Sequence, residues 1–232
     1  MEVAQFRYGA DNFGYLVTDG GFALAVDAGA PADMARYAEK NGIAVRYAAH
    51  THEHPDHTPG TARLAALTGA RILSRRELVG AGGVALGGGW VKVLETPGHT
   101  ADSLCFLAGG NLVSGDTLFN GTVGNCFSGD LAAFYHSVKL LMALPPETVV
   151  WAGHDYVRES LAFARSLTGD FPALSAYAAK YDPENVRSTL ADELLVNPYM
   201  KFNAKDMLAL MEARGLPADT EFARFKSVME LY

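Results

Sequence analysis

Apolar residues recur in short runs along the first 115 residues, and turn-forming residues separate these runs. Apolar runs of this length, rich in Val, Phe and Tyr, are typical of buried β-strands. An Asp-Gly-Gly turn at 19–21 joins two of the runs and favours a hairpin. The predicted strands are residues 3–8, 13–18, 22–27, 43–50, 90–95, 103–108 and 111–115.

Segments with helical spacing lie between some of these strands. Pro31 suits a first helical turn and Gly42 suits a stop, so residues 31–42 are predicted to form a helix. A further buried strand is predicted at 147–153. The other predicted helices are residues 59–68, 130–143 and 156–168. The pattern therefore predicts a mixed α/β domain over residues 1–168.

The pattern changes after Phe171-Pro172, where strand-like runs cease and four stretches with helical spacing follow. We therefore predict a second, small helical domain over residues 169–232. Its predicted helices are residues 173–180, 188–196, 204–214 and 219–231.

Charge and hydropathy exclude some classes of function. The chain has 19 basic and 26 acidic residues and no cluster of Lys and Arg, so nucleic acid is not an expected partner. Its apolar runs are shorter than the roughly 18 residues that span a bilayer, so no membrane partner is expected. Residues 1–8 lack a basic start followed by an apolar stretch, and we expect a cytoplasmic location.

Three of the seven histidines fall in one window, residues 52–57, which reads His-Glu-His-Pro-Asp-His. In extended backbone, side chains two residues apart share a face, so His52 and His54 can converge on one ion. Asp56 and His57 are expected to turn toward a second ion. Imidazole nitrogen and carboxylate oxygen are ordinary ligands of zinc and of other first-row divalent ions.

Three further residues of ligand type stand at the ends of predicted strands: His99, Asp116 and His154. If those strands lie side by side, their ends place these side chains beside the 52–57 window. Five histidines and two aspartates would then suffice for two divalent ions, with zinc favoured and iron or manganese left open. The expected division is His52, His54 and His99 on one ion, Asp56, His57 and His154 on the other, and Asp116 bridging both.

These segments resemble the signature of the metallo-β-lactamase superfamily. The chain contains, in order, THEHPDH from residue 51, TPGHT from 96, SGDTLF from 114 and GHDY from 153. The resemblance covers residues 1 to about 165 and implies an αββα sandwich with a metal site. The VDAG segment at 26–29 resembles an early strand-end motif of the superfamily, which would make Asp27 a support for the metal-binding loop.

Within the superfamily, the tail is similar to that of glyoxalase II, the hydroxyacylglutathione hydrolase, which carries a helical domain over its active site. The segment STLADELLVNPYMKFNAK at 188–205 carries this resemblance. It implies that Tyr156, Lys201 and Lys205 contact the glutathione part of a substrate, with the two lysines meeting a carboxylate.

One segment departs from the glyoxalase II pattern. Where the family has Gly-Cys-Gly, a basic residue and an aromatic pair, residues 123–129 read Val-Gly-Asn-Cys-Phe-Ser-Gly. Asn125 stands at the basic position, and Phe127 keeps the aromatic one. Both are expected to contact the substrate, but one charge contact to glutathione is absent. A different thioester or thiol carrier therefore stays open.

The resemblance implies a dinuclear metal-dependent hydrolase of thioesters, most specifically of S-lactoylglutathione. Two ions bridged by Asp116 and a water would supply hydroxide near neutral pH, so Asp116 and Asp56 are the expected catalytic carboxylates. The same ions would stabilise the oxyanion, and a thiolate with an ordinary pKa near 8.5 leaves readily.

Other activities of the superfamily use the same residues. A persulfide dioxygenase needs one iron held by two histidines and a carboxylate, which is a subset of this ligand set. A lactonase and a different thioesterase also stay open, because hydroxide attack on their substrates needs the same metals. A non-catalytic metal-binding module is disfavoured by the complete set of seven ligand candidates. The sequence gives no indication of the oligomeric state.

Overall fold

The computed structural model describes residues 1–231 and contains two β-sheets, in which strands adjacent in sequence are also adjacent in space. The first sheet comprises β1 (Glu2–Tyr8), β2 (Asn12–Asp19), β3 (Phe22–Val26), β4 (Ala44–Ala49) and β5 (Arg71–Ile72). The second comprises β6 (Gly83–Leu86), β7 (Gly89–Glu95), β8 (Leu104–Ala108), β9 (Asn111–Gly115), β10 (Val149–Ala152) and β11 (Ser188–Thr189).

Nine helices occur within residues 1–231, and none of them is long and apolar enough to cross a membrane. Those of the first part of the chain are α1 (Pro31–Lys40), α2 (Thr61–Thr68), α3 (Arg75–Ala81), α4 (Leu131–Met142) and α5 (Val157–Thr168). Those of the tail are α6 (Pro172–Lys180), α7 (Leu190–Val196), α8 (Lys205–Arg214) and α9 (Glu221–Met229).

The strands alternate their side chains between two cores, which is how the sequence produces layers. On β2, Phe13 and Tyr15 enter the core between the sheets, whereas Leu16 packs with α1 and α2 on the outer face. On β8, Phe106 enters the central core and Cys105 packs outward with α4 and the tail helices. Because successive side chains of a strand point to opposite faces, each sheet is covered on both sides. The αββα sandwich expected from the sequence is confirmed.

Four short elements were absent from the sequence-based prediction: β5, α3, β6 and β11. Helix α3 begins after Ser74, whose hydroxyl accepts a hydrogen bond from Glu77 N while the Glu77 carboxylate accepts one from Ser74 N. This reciprocal capping box nucleates a helix of only two turns. Within the tail, residues 188–189 form strand β11 rather than the first turn of the predicted helix 188–196. β11 pairs antiparallel with β10, which extends the second sheet.

The tail helices share a hydrophobic core with the second sheet. Phe134 of α4 and Phe225 of α9 are both fully buried, with perpendicular rings whose centroids lie 6.1 Å apart. Cys105, Leu112 and Val150 of the sheet belong to the same cluster. The division at residues 168 and 169 stays a prediction, and the shared core indicates that the two parts stabilise one another.

We predict that the two parts unfold together and that Phe225→Ala lowers the free energy of unfolding by about 3–5 kcal/mol, because it leaves a cavity in the shared core. The measurement is urea denaturation followed by fluorescence and by far-UV circular dichroism, which should give coincident transitions. Phe225→Leu, which keeps most of the volume, should cost only roughly 1 kcal/mol. Separate transitions, with the mutation affecting one alone, would contradict the prediction.

Candidate metal centre

Each candidate ligand follows the end of a strand. His52 lies in the loop after β4, His99 follows β7, Asp116 comes directly after β9, and His154 comes two residues after β10. Strands β9 and β10 run parallel, so their carboxyl ends meet at the same edge of the sheet. The structure therefore brings together the side chains that the sequence assigned to one locus.

The first group of ligand atoms contains three imidazoles. His54 Nδ1 lies 2.9 Å from His52 Nε2 and 3.1 Å from His99 Nε2. The second group has His57 and His154, whose Nε2 atoms lie 3.2 Å apart, with Asp56 Oδ2 3.4 Å from His154 Nε2. Within each group the donor atoms all lie within 4.8 Å of one another.

Asp116 lies between the two groups. Its Oδ2 is 3.4 Å from His99 Nε2 and 3.5 Å from His154 Nε2, and its Oδ1 is 3.4 Å from His57 Nε2. Among the described residues Oδ1 has no hydrogen-bond partner, although it is buried. A buried carboxylate oxygen without a donor, surrounded by imidazole nitrogens, fits a cation better than a hydrogen-bond network. The cluster is compatible with a dinuclear metal site.

Asp27 supports the loop that carries three of the histidines. Its carboxylate accepts hydrogen bonds from Thr51 N at 2.8 Å and Thr51 Oγ1 at 2.6 Å, and Oδ2 lies 3.0 Å from His57 Nδ1. Asp27 is the one described non-glycine residue with positive φ, at 51°. Its three contacts hold this uncommon backbone conformation. Asp27 therefore contacts the loop as the sequence led us to expect, and its support of metal binding stays a prediction.

Other side chains orient the remaining ligands. Asp11 Oδ1 lies 2.9 Å from His154 Nδ1, and the backbone oxygen of Asn125 lies 3.0 Å from His99 Nδ1. Asn12 Nδ2 donates to Asp56 Oδ2 at 3.0 Å. An acceptor on Nδ1 favours the tautomer that carries its proton there, so that in the neutral ring the lone pair of Nε2 points toward the cluster. The sequence did not indicate these roles for Asp11 and Asn12, because they lie far along the chain from the ligands they contact.

Two glycines leave room for the cluster. A Cβ at Gly153 would lie 2.1 Å from Asp116 Oδ1, and a Cβ at Gly124 would lie 2.0 Å from the backbone oxygen of Asp116. Neither neighbour is the flexible end of a long side chain, so a larger residue at either position would displace Asp116. The glycine of the GHDY segment is therefore required by packing against Asp116.

Burial and charge adjust the protonation of the ligands. Burial lowers the pKa of His52 to about 4, so its ring is neutral and offers a lone pair at neutral pH. Burial alone would raise the pKa of Asp116, but the imidazoles of His154 and His57, 3.5 and 3.4 Å from its carboxylate oxygens, hold the pKa well below its usual range. Burial would lower the pKa of His57, whereas the charges of Asp27 and Asp116 raise it to about 10. Without metal, His57 therefore carries a proton that a cation has to displace.

A cavity of about 470 Å³ opens beside His154. Its wall includes Phe119 and Tyr156, and the Tyr156 ring stacks on His154 with centroids 5.1 Å apart. The tail contributes Tyr199 and Met229. Asp11, Asp155 and Glu159 also line the cavity, and within residues 1–231 no Lys or Arg does. A space of this size suits a small molecule.

The structure separates the residues expected to bind substrate. Tyr156 and Asn125 line the cavity. Phe127 is 65% exposed, and its ring packs on His99 with centroids 5.3 Å apart. Lys201 is buried, its Nζ 2.5 Å from Asp206 Oδ2, and Lys205 is exposed at the start of α8. Neither lysine lines the cavity, so their contact with a substrate stays a prediction.

The sequence matches the family model of the metallo-beta-lactamase superfamily over residues 11–92 and 71–154, and the chain belongs to this superfamily. The names of its curated relatives indicate a particular activity within the superfamily. It is 37% identical to a hydroxyacylglutathione hydrolase of Anaeromyxobacter dehalogenans, over 91% of this chain and 90% of that protein. A hydroxyacylglutathione hydrolase of Thiobacillus denitrificans is 34% identical over 86% of this chain and 84% of its own length.

Solved structures share the fold at lower identity. ETHE1 from Myxococcus xanthus superposes with a TM-score of 0.66 at 22% identity, covering 98% of this chain and 100% of that one. TTHA1623 in a di-iron-bound form gives a TM-score of 0.62 at 24% identity, covering 84% of this chain and 99% of that one. At such identities the likeness establishes the fold alone.

We predict that Asp27→Asn weakens metal binding by about 10- to 100-fold, since the amide no longer accepts from both Thr51 and His57. Asparagine tolerates positive φ, so the backbone should keep its conformation. The measurement is competition for Zn²⁺ against a chelator of known affinity. Asp33→Asn, an exposed change on α1, is the control and should bind as the wild type does. Equal affinity in both variants would disprove a supporting role for Asp27.

Proposed function

We propose that the protein is a dinuclear metal-dependent thioester hydrolase, and that S-D-lactoylglutathione is its most specific substrate. The observation that carries the proposal is the carboxylate of Asp116, which lies between two groups of ligand atoms beside a cavity of small-molecule size. The curated relatives named hydroxyacylglutathione hydrolase support the choice of substrate.

The seven ligand candidates would be shared between two cations, in line with the two groups of ligand atoms described above. When bound, the cations supply Lewis acidity and a water that ionises near neutral pH. The residues that would hold the first are His52, His54 and His99, those that would hold the second are Asp56, His57 and His154, and Asp116 would contact both.

The chain's own groups prepare the site for this chemistry. The low pKa of Asp116 keeps it ionised, so its two oxygens would be available to hold cations at neutral pH. Asp56 is 48% exposed at the mouth of the site, and Asn12 fixes its Oδ2. Asp56 is therefore positioned to accept a proton released at the cluster and to pass it to solvent.

A thioester suits this arrangement. Hydrolysis forms a carbon–oxygen bond at the acyl carbon and breaks the carbon–sulfur bond, and the sulfur leaves as thiolate. No residue has to protonate the leaving group before it departs, because the ordinary pKa of a thiol is near 8.5. Phe127 lies exposed beside His54 and His99, where it can contact the bound acyl thioester through its ring face.

The part of the substrate that carries the thiol, called the thiol arm below, would occupy the cavity beside His154. We propose that Tyr156 and the amide of Asn125 contact it there. Lys201 would reach a glutathione carboxylate only after giving up its ion pair with Asp206, and Lys205 would reach it only from outside the cavity wall. We therefore assign the first contacts to Asn125 and Tyr156.

A second candidate is a thioesterase for a carrier without carboxylates. The observation that favours it is the lining of the cavity, which has Asp11, Asp155 and Glu159 but, within residues 1–231, no basic residue. Asp155 is paired with Arg7, whose Nη2 lies 2.6 Å from its Oδ2. Asp11 is paired with His154, which leaves Glu159 as the acidic group of the wall. Such a wall attracts a neutral or cationic arm more than an anionic one.

We predict that the metal-loaded protein hydrolyses S-D-lactoylglutathione and that a chelator abolishes turnover. Asp116→Asn should lower kcat by about 10²–10³-fold, because it removes the charge that holds the two cations together. The measurement is thiol release detected with a thiol-reactive dye. Asp219→Asn, an exposed change in the tail, is the matched control. Turnover that survives the chelator, or no turnover by a folded and metal-loaded sample, would reject this function.

A second prediction separates the two candidate thiol arms. Asn125→Arg should raise kcat/KM for S-D-lactoylglutathione by about tenfold, since a charge-assisted hydrogen bond to a carboxylate is stronger than a neutral one. The same variant should leave kcat/KM for S-lactoyl-N-acetylcysteamine unchanged. Asn125→Gln is the uncharged control. If the wild type prefers the N-acetylcysteamine thioester and Asn125→Arg improves neither substrate, the carrier has no carboxylate at this position.

A further inference from the structure

A buried carboxylate of the tail contacts the loop that walls the cavity. This loop, residues 116–130, joins β9 to α4 and is called the cavity loop below. Glu193 lies in the first turn of α7 and is completely buried. Its Oε2 accepts a hydrogen bond from the backbone N of Gly121 at 2.9 Å. A side chain 72 positions along the chain therefore holds the middle of the loop.

Asn197 completes the contact from the end of the same helix. Its Nδ2 donates to the backbone oxygen of Thr122 at 3.0 Å and to Glu193 Oε2 at 2.9 Å. Its Oδ1 accepts from Tyr199 N at 3.1 Å, and the Tyr177 hydroxyl donates to Glu193 Oε1 at 2.7 Å. Glu193 and Asn197 thus bond to each other and to other tail residues, and they also bond to the backbone of two consecutive residues of the cavity loop, Gly121 and Thr122.

The held segment is a tight turn. The N–H of Phe119 donates to the oxygen of Thr122 at 3.0 Å, and Gly121 adopts φ +93°, a conformation that favours glycine. Thr122, Val123 and Gly124 then line the cavity. Directly after them, the backbone oxygen of Asn125 lies 3.0 Å from His99 Nδ1. The turn held by the tail is therefore three residues from the partner of a metal-ligand candidate.

A carboxylate is a costly residue to use for packing alone. Burial disfavours its charged form, and an apolar side chain of similar size would fill the same space without that cost. The carboxylate differs from an apolar side chain in its ability to accept hydrogen bonds in fixed directions. Here Oε2 of Glu193 accepts a hydrogen bond from Gly121 N, which lies outside the tail.

We propose that Glu193 and Asn197 are positioning residues for the metal centre: through the turn at 119–122 they hold the oxygen of Asn125 on His99 and the loop against the cavity. The inference rests on the proposed function in so far as His99 is a metal ligand. It adds that the tail acts on the metal centre itself, in addition to lining the substrate cavity.

The test compares three variants of the full chain. Glu193→Leu keeps the volume and removes both acceptors. Glu193→Gln keeps one acceptor for Gly121 N, and the Tyr177 hydroxyl can rotate to accept from the new amide, so it serves as the conservative rescue. Phe225→Leu is the control for lost stability in the same tail, because its ring contacts are with Phe134, Tyr135 and Phe202, outside the cavity loop.

Two readouts are independent of turnover. Hydrogen exchange of the metal-free protein should be about tenfold faster in residues 119–125 of Glu193→Leu, since the N–H of Gly121 has lost its acceptor. The dissociation constant of Co²⁺ should rise about tenfold with a changed absorption spectrum, because His99 is no longer held by Asn125. Glu193→Gln should restore most of both properties, and KM for the thioester should follow the same order.

Phe225→Leu should lower the thermal midpoint while leaving the Co²⁺ affinity, the spectrum and the exchange of the cavity loop unchanged. The proposal is overturned if Glu193→Leu leaves the Co²⁺ affinity and spectrum as in the wild type, or if Phe225→Leu changes them equally. Should Glu193→Leu fail to fold, Asn197→Ala replaces it, because it removes the bond from the tail to Thr122 O and leaves Glu193 bonded to Gly121 N. If the wild type does not hydrolyse thioesters, exchange and Co²⁺ binding still decide this proposal.

Discussion

The structure depends on one constraint, which is that the charge of Asp116 is buried among imidazoles at the edge of a sheet. An ionised carboxylate is tolerated there only if its surroundings supply positive charge. The protonated His57 provides part of that charge in the metal-free protein, and a pair of cations fits the same space. The glycine at 153 follows from this constraint, because any larger residue there would collide with the Asp116 carboxylate.

Much of the fold and of the cluster could be predicted from sequence, since local patterns encode them. Apolar runs marked most of the strands, and the compact 52–57 window marked the metal locus. Asp11 and Asn12 escaped prediction as ligand supports because their contacts, to His154 and Asp56, join distant parts of the chain. The family resemblance also missed a contact between residues close in sequence. Lys201, which the resemblance assigned to substrate, forms an ion pair with Asp206 five residues away.

The tail is joined to the sandwich at three levels. β11 extends the second sheet, Phe225 enters the outer core, and the buried pair Glu193 and Asn197 contacts the cavity loop. The first two interactions hold the tail helices against the sandwich. The third links the position of these helices to the position of the cavity loop. Because Tyr199 and Met229 also line the cavity, the space for a substrate exists only when the tail is packed.

The charge balance of the metal centre affects which substrates the cavity would bind. Two divalent cations would face Asp56 and Asp116 directly and Asp27 and Asp11 through His57 and His154, so four positive charges meet four carboxylates. A metal site close to neutral attracts an anionic substrate only weakly over distance. Selection of the thiol arm then depends on short contacts within the cavity wall. Under the proposed function, this wall would decide which carrier is accepted more than the metal centre would, because it holds Glu159, which is acidic, and Asn125, which is neutral where glyoxalase II has a basic residue.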